Sequence, residues 1–189
     1  MTERVERWAF LQYRRLIEAE IPAFAAEVAS RLNGERLARA GLSVFPDIGN
    51  GLSIHAQWMT EGELVHIRSS YGHLPASSAW EEVSIQLEEW PHVIDFGSWG
   101  GPLWKWLWGH SERWQARWDE DETNALRDFA PFERLLFDEA AAALVATRDC
   151  WSEIETTADF ALLVGDYEAL GLERYLIVRS CVSLEYLDQ

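Results

Sequence analysis

The chain has a single lysine, Lys105, among 189 residues, and its 16 basic side chains face 32 acidic ones, for a formal net charge of −16. A field that acidic repels nucleic acid and anionic membranes, because binding either depends on Lys and Arg neutralising phosphates. It attracts basic proteins instead, by a long-range pull that raises association rates and fades with salt. Cysteine is scarce as well. Cys150 and Cys181 have no clustered spacing, which argues against a disulfide framework, and with no secretory leader read at the N-terminus a reducing cytoplasm is the expected compartment. No apolar run approaches the roughly 20 residues that a membrane span needs.

Catalytic signatures are missing too. There is no Gly-x-Ser-x-Gly elbow, no Gly-x-x-x-x-Gly-Lys loop, no His-Glu-x-x-His and no Cys-x-x-Cys, so serine-hydrolase, P-loop and zinc readings lack their motifs. His73, His92 and His110 stand isolated, and with 32 acids paired carboxylates carry no specificity. No cofactor and no metal are expected.

What the chain has in abundance is tryptophan, eleven in all, six of them within residues 99–118. Gly100-Gly101 break what precedes, and Pro102 suits a first helical position, where its missing N–H would be unpaired anyway. Trp104, Leu107 and Trp108 are expected on one face of a short helix closed by Gly109. Ser111 is then placed to cap a second helix carrying Trp114 and Trp118 four residues apart. Lys105, Arg113 and Arg117 interleave with the rings at spacings that suit cation-π contact. A strand with Trp104, Trp106 and Trp108 on one side fits the same run. The rings serve either as bulky filling between sheet and helices or as a partner-binding surface, since Trp and Arg dominate binding hot spots.

A length of 189 residues suits one domain, which at this size buries roughly 70 per cent of its unfolded surface. We read it as a helical segment over 1–42, a strand-rich part over 43–98, and a tryptophan-rich junction with helices over 99–189. Val5, Trp8, Ala9, Tyr13, Leu16, Ile17 and Ile21 recur at helical spacing, and Pro22 predicts either a kink or a second helix running to the stop Asn33-Gly34. Residues 44–48 form a short apolar strand, Asn50-Gly51 signals a hairpin, and 52–59 alternate as a half-buried strand. With residues 60–63 as a turn, 64–70 become a third strand, with Trp58 facing Val65 on the covered side. The open side then gathers His55, Gln57, His66 and Arg68, a cluster suited to an anion, an acidic surface or a metal, and one that a register slip of one residue would scatter.

Ser78 and Glu81 have capping-box spacing, but 78–90 fits helix or strand equally, and 93–96 reads as another short strand. The run Asp119-Glu120-Asp121-Glu122 lacks the alternating ligands and glycine of a calcium loop and reads as solvated. A helix is predicted from Pro131 to about Arg148 with Phe132, Leu135, Leu136, Ala140, Ala143 and Leu144 on one face. Residues 160–164 read as a buried strand, and 172–187 as strand then helix or as helix throughout.

The alanine-rich segment 132–147, the acidic spacer Trp151-Ser-Glu-Ile-Glu, the strand Asp159-Phe-Ala-Leu-Leu-Val-Gly-Asp and the last stretch Arg179-Ser-Cys-Val-Ser-Leu-Glu-Tyr-Leu together resemble acidic immunity proteins of bacterial polymorphic toxin systems. The resemblance spans 130–189 and carries over no individual functional residue. It implies a non-enzymatic cytoplasmic inhibitor that docks on a basic toxin domain. The expected fold is α+β, an antiparallel meander with helices packed on one face and an N-terminal helical segment. The expected partner site is the corner where Trp114 and Trp118 run into Asp119, Glu120, Asp121 and Glu122, because aromatic anchors and steering carboxylates adjoin there. The face of His55, Gln57, His66 and Arg68 is the alternative surface, and a small enzyme using it or paired carboxylates is the alternative function. Homo-oligomerisation is left open.

Overall fold

A computed structural model describes residues 2–48, 51–70, 91–166, 176–179 and 183–186. The elements are α1 (Thr2–Arg31), β1 (Leu37–Asp47), β2 (Gly51–Thr60), α2 (Glu61–Ser70), β3 (His92–Asp95), α3 (Pro102–Glu120), α4 (Glu122–Ala146), a 3-10 turn (Arg148–Trp151), β4 (Thr156–Asp166), β5 (Leu176–Arg179) and β6 (Ser183–Tyr186). The fold is α+β, as expected. The six described strands form one sheet in the order β3-β2-β1-β4-β5-β6. Its pairs are antiparallel except the central one, β1 with β4, which is parallel. The sheet is therefore mostly antiparallel, as expected, with one parallel pair among the described strands.

Helix α1 is one continuous element with Pro22 inside it. Phe10, Tyr13, Ile17, Ile21, Phe24 and Val28 recur at spacings of three and four and are buried, while Pro22 lies on the exposed side. The continuous apolar stripe outweighs the one hydrogen bond that Pro22 removes. Trp8 falls off that stripe and is exposed. Asn33 and Gly34, both at positive φ, end the run.

β1 and β2 make the predicted hairpin, with Asp47 opposite Gly51. Ala40, Leu42 and Val44 of β1, Ile54, Ala56 and Trp58 of β2, and Leu162 and Val164 of β4 share one core with α1, α3 and α4. The period of two places these residues on a single face of the sheet, so those three helices cover that face. β1 extends further back than 44–48, through Ala38, Ala40 and Gly41, whose small side chains carry little apolar signal. Gly41 is required. A Cβ there would lie 2.2 Å from the carbonyl oxygen of Leu163 on β4.

The third strand of the meander is instead helix α2. Thr60 Oγ1 accepts from the Glu63 amide at 3.3 Å while Glu63 Oε2 accepts from the Thr60 amide at 2.7 Å. This reciprocal capping box starts a helix where we expected a turn. Leu64 is buried and Val65 exposed, so Trp58 faces Ala40 and His92 across the strands and not Val65. Helix α4 begins at Glu122, nine residues before Pro131, with Ala125 and Phe129 continuing its buried face. Residues 183–186 are strand and not helix. His73, Cys181 and the capping-box candidate at Ser78 lie outside the described residues. Among the described residues no helix is long and apolar enough to cross a membrane.

Candidate functional site

Pro102 takes the first helical position after Gly101, and α3 then runs unbroken to Glu120. Gly109 does not close it, and Ser111 caps nothing. The Ser111 Oγ donates to the Leu107 carbonyl at 2.9 Å and accepts from the Leu52 amide at 2.7 Å, which fastens the start of β2 to the helix. A lone glycine costs a helix about 1 kcal/mol, less than the burial of Leu103, Trp106, Leu107 and Trp114 on its inner side contributes.

One long helix sorts the tryptophans differently from two short ones. Trp106 is buried, stacked on Tyr13 at 4.7 Å and on His110 at 3.8 Å. Trp114 is 8 % exposed and packs edge-on to Phe129 at 5.0 Å, with the Arg117 guanidinium 4.7 Å from its ring centroid. It is therefore a core residue and not an exposed anchor. Trp118 is half-buried against the core. The outward stripe, four and then three or four residues at a time, is Trp104, Trp108, Ser111, Glu112, Gln115 and Asp119. Trp104 and Trp108 thus do not share a face with buried Leu107.

Trp99, from the loop before α3, lies 4.7 Å from Trp104, and Trp104 stacks on Trp108 at 5.4 Å with the planes 13° apart. Trp99 is 85 % exposed and Trp108 52 %. This is a contiguous indole ladder turned to solvent, and surface apolar patches of that kind mark interaction sites. Beside it, an open groove of about 410 Å³ is lined by Ile48 and Gly51 from the β1–β2 turn and by Trp108, Ser111, Glu112, Gln115, Ala116 and Asp119 from α3. Among the described residues, two carboxylates and no cation line it. Gln115 Nε2 donates to Asp119 Oδ1 at 2.9 Å, which orients that carboxylate. Arg117 is turned away, paired with Asp128 at 2.6 Å.

Asp119 belongs both to the groove and to the acidic corner. Asp119 and Glu120 end α3 and Glu122 starts α4, and all four carboxylates of Asp119, Glu120, Asp121 and Glu122 are exposed. Asp121 terminates one helix and starts the next: its amide donates to the Arg117 carbonyl and its side chain accepts from the Asn124 amide. The Asn124 backbone and side-chain hydrogen bonds hold the Asp121 carboxyl below its ordinary pKa.

On the inner side of α3, the His110 Nδ1–H donates to the Trp106 carbonyl at 2.8 Å, between the Trp106 and Phe132 rings. Burial lowers its pKa from 6.5 against the opposing pull of that hydrogen bond, and Arg113 lowers it further. Below pH 6.5 the unfolded chain then takes up a proton that the folded one refuses, so stability falls as pH drops through that value. The urea midpoint should accordingly fall between pH 7.5 and 5.5 by more in the wild type than in His110→Phe, which keeps the ring packing. Equal falls in the two would refute the assignment.

The alternative histidine surface is not assembled. His55 and Gln57 lie on β2, with Gln57 buried, whereas His66 and Arg68 belong to α2, so the cluster is corrected. What does meet on that face is Ser53, His55 and Asp95. Ser53 Oγ is 3.5 Å from His55 Nε2, and His55 Nδ1 is 3.4 Å from Asp95 Oδ1. The order is that of an acyl-transfer triad, but both contacts are long and the Asp95 carboxylate is 93 % exposed, so water screens its pull on the imidazole. His92 stacks on Trp58 at 4.7 Å and reaches Glu63 at 2.8 Å, joining β3 to the start of α2. Among the described residues no group of three or more His, Cys, Asp or Glu is placed to hold a metal ion. No family of known proteins, no characterised protein and no solved structure matches the chain.

Proposed function

We propose that this chain is a non-enzymatic acidic binding protein of the immunity type, which neutralises a basic toxin domain in the cytoplasm by docking it on the outward side of α3. The observation that carries the reading is the Trp99–Trp104–Trp108 ladder beside a groove lined by carboxylates, in a chain of net charge −16. Carboxylates steer a basic partner and exposed aromatics anchor it. The acidic corner of Asp119, Glu120, Asp121 and Glu122 supplies the steering, while the anchors move from Trp114 and Trp118 to Trp108 and its neighbours.

The test uses the products of the genes that flank this one. One of them should arrest growth when expressed alone and be relieved by co-expression of this chain, and Trp108→Ala should weaken that relief. Flanking genes whose products are harmless and form no complex with the chain would overturn the reading. The second reading, an acyl-transfer enzyme, rests on Ser53, His55 and Asp95. A fluorophosphonate probe is expected to leave Ser53 unlabelled, and labelling that disappears in Ser53→Ala would favour the enzyme instead.

A further inference from the structure

Building on α3 as the docking face, we infer that the groove receives an arginine side chain of the partner, its guanidinium stacked on the Trp108 ring and paired with Glu112 one turn further along α3, while Asp119 adds negative charge at the far end of the groove. Trp104 already covers one face of the Trp108 indole, with the two planes 13° apart. Trp108 also lines the groove and is half exposed. An indole face attracts cations through its quadrupole, and a planar, weakly hydrated guanidinium satisfies ring and carboxylates together better than a compact, strongly hydrated ammonium does.

The carboxylates fit the same ligand. Glu112 has no hydrogen bond or ion pair among the described residues, and Asp119 has one oxygen occupied by Gln115 and the other open. An apolar occupant would strip water from both without pairing them, which is costly, whereas the fork of guanidinium donors matches carboxylate oxygens. Ile48 and Ala116 give the methylene stem apolar wall to lie along. The volume of about 410 Å³ falls among ordinary ligand pockets and leaves room for the partner's flanking backbone.

The probes are the blocked tripeptides acetyl-Gly-Arg-Gly-amide, its lysine counterpart and its citrulline counterpart, the last keeping the shape without the charge. They are titrated into the full chain at about 0.15 M salt, which screens the general attraction of an acidic protein for cations. The readout is the NMR shift of the Trp108 indole N–H, assigned with Trp108→Phe. The arginine peptide should move that resonance, with the lysine and citrulline peptides binding about threefold to tenfold more weakly. Trp108→Ala, followed through its neighbour Trp104, and the double variant Glu112→Gln/Asp119→Asn should each cut arginine-peptide binding about tenfold. A melting curve confirms that these exposed substitutions leave the fold intact.

Equal binding of arginine and lysine peptides, or binding that survives in both variants, would overturn the inference. Relief of a flanking toxin by the wild-type chain would then still support the immunity reading. Arginine-selective binding with harmless flanking products would overturn the immunity reading and keep the groove as an arginine site.

Discussion

Gly41→Ala is expected to destabilise the chain by about 3 kcal/mol or more, the upper end of what overpacking costs. The added Cβ would sit 2.2 Å from the carbonyl oxygen of Leu163 and 2.9 Å from its carbonyl carbon. Both are backbone atoms of the neighbouring strand, so no side chain can rotate out of the way. The contact falls where Gly41 pairs with Leu163, in the middle of the only parallel pair among the described strands. To relieve it, β1 and β4 must part, and with them the two halves of the sheet. A loss of that size is a large share of the 5 to 15 kcal/mol by which domains are typically stable. Urea unfolding followed by tryptophan fluorescence reads it directly, and an unchanged midpoint would refute the close approach.

The second large effect separates two tryptophans that stand two residues apart. Trp106→Ala should cost about 3 to 5 kcal/mol, as buried aromatic truncations do, because Trp106 touches the rings of Phe10, Tyr13 and His110 where α1 meets α3. At roughly 2 to 4 °C per kcal/mol for a chain of this size, its melting temperature should drop by about 6 to 20 °C. Trp108→Ala removes a ring that is half in water, and its stability should stay within about 0.5 kcal/mol of the wild type. Paired melting curves give the answer. Equal destabilisation would mean that the indole ladder belongs to the core, and α3 would lose its claim as a docking face.

That contrast also shows what could be read in the residues. The six clustered tryptophans were visible at once, but their division into inner and outer stripes depends on whether α3 is one helix or two. Gly109 and Ser111 look like a stop and a cap. Tertiary burial of Leu103, Trp106, Leu107 and Trp114 overrides both signals, because packing outweighs local propensity. With the helix taken as unbroken, the spacing 108, 112, 115, 119 gives the groove wall directly. The start of α2 is equally legible: Thr60-Glu61-Gly62-Glu63 has the same Ser/Thr-x-x-Glu spacing as the candidate at Ser78, while the alternation of the next residues has the period of a strand. Pro131 marked a helix correctly but not its start, since Asp121 caps it ten residues earlier. The β1–β4 pairing had no local sign. It joins residues far apart in the chain, and no periodicity within either segment encodes its partner.

That distant pairing has a consequence for how the protein is made. β1 is synthesised near the beginning and waits for β4, which the ribosome delivers only after α2, α3 and α4. Pairings of such high sequence separation are slow to form, because the closure entropy of the whole intervening loop must be met before any contact compensates it. Until then the side of β1 that β4 will cover is an open strand edge, a template for joining another nascent chain. Gly41 leaves that edge without a bulky side chain to block a wrong partner. Hence, if its role is to neutralise a toxic protein, finished copies must be folded and waiting before that protein appears.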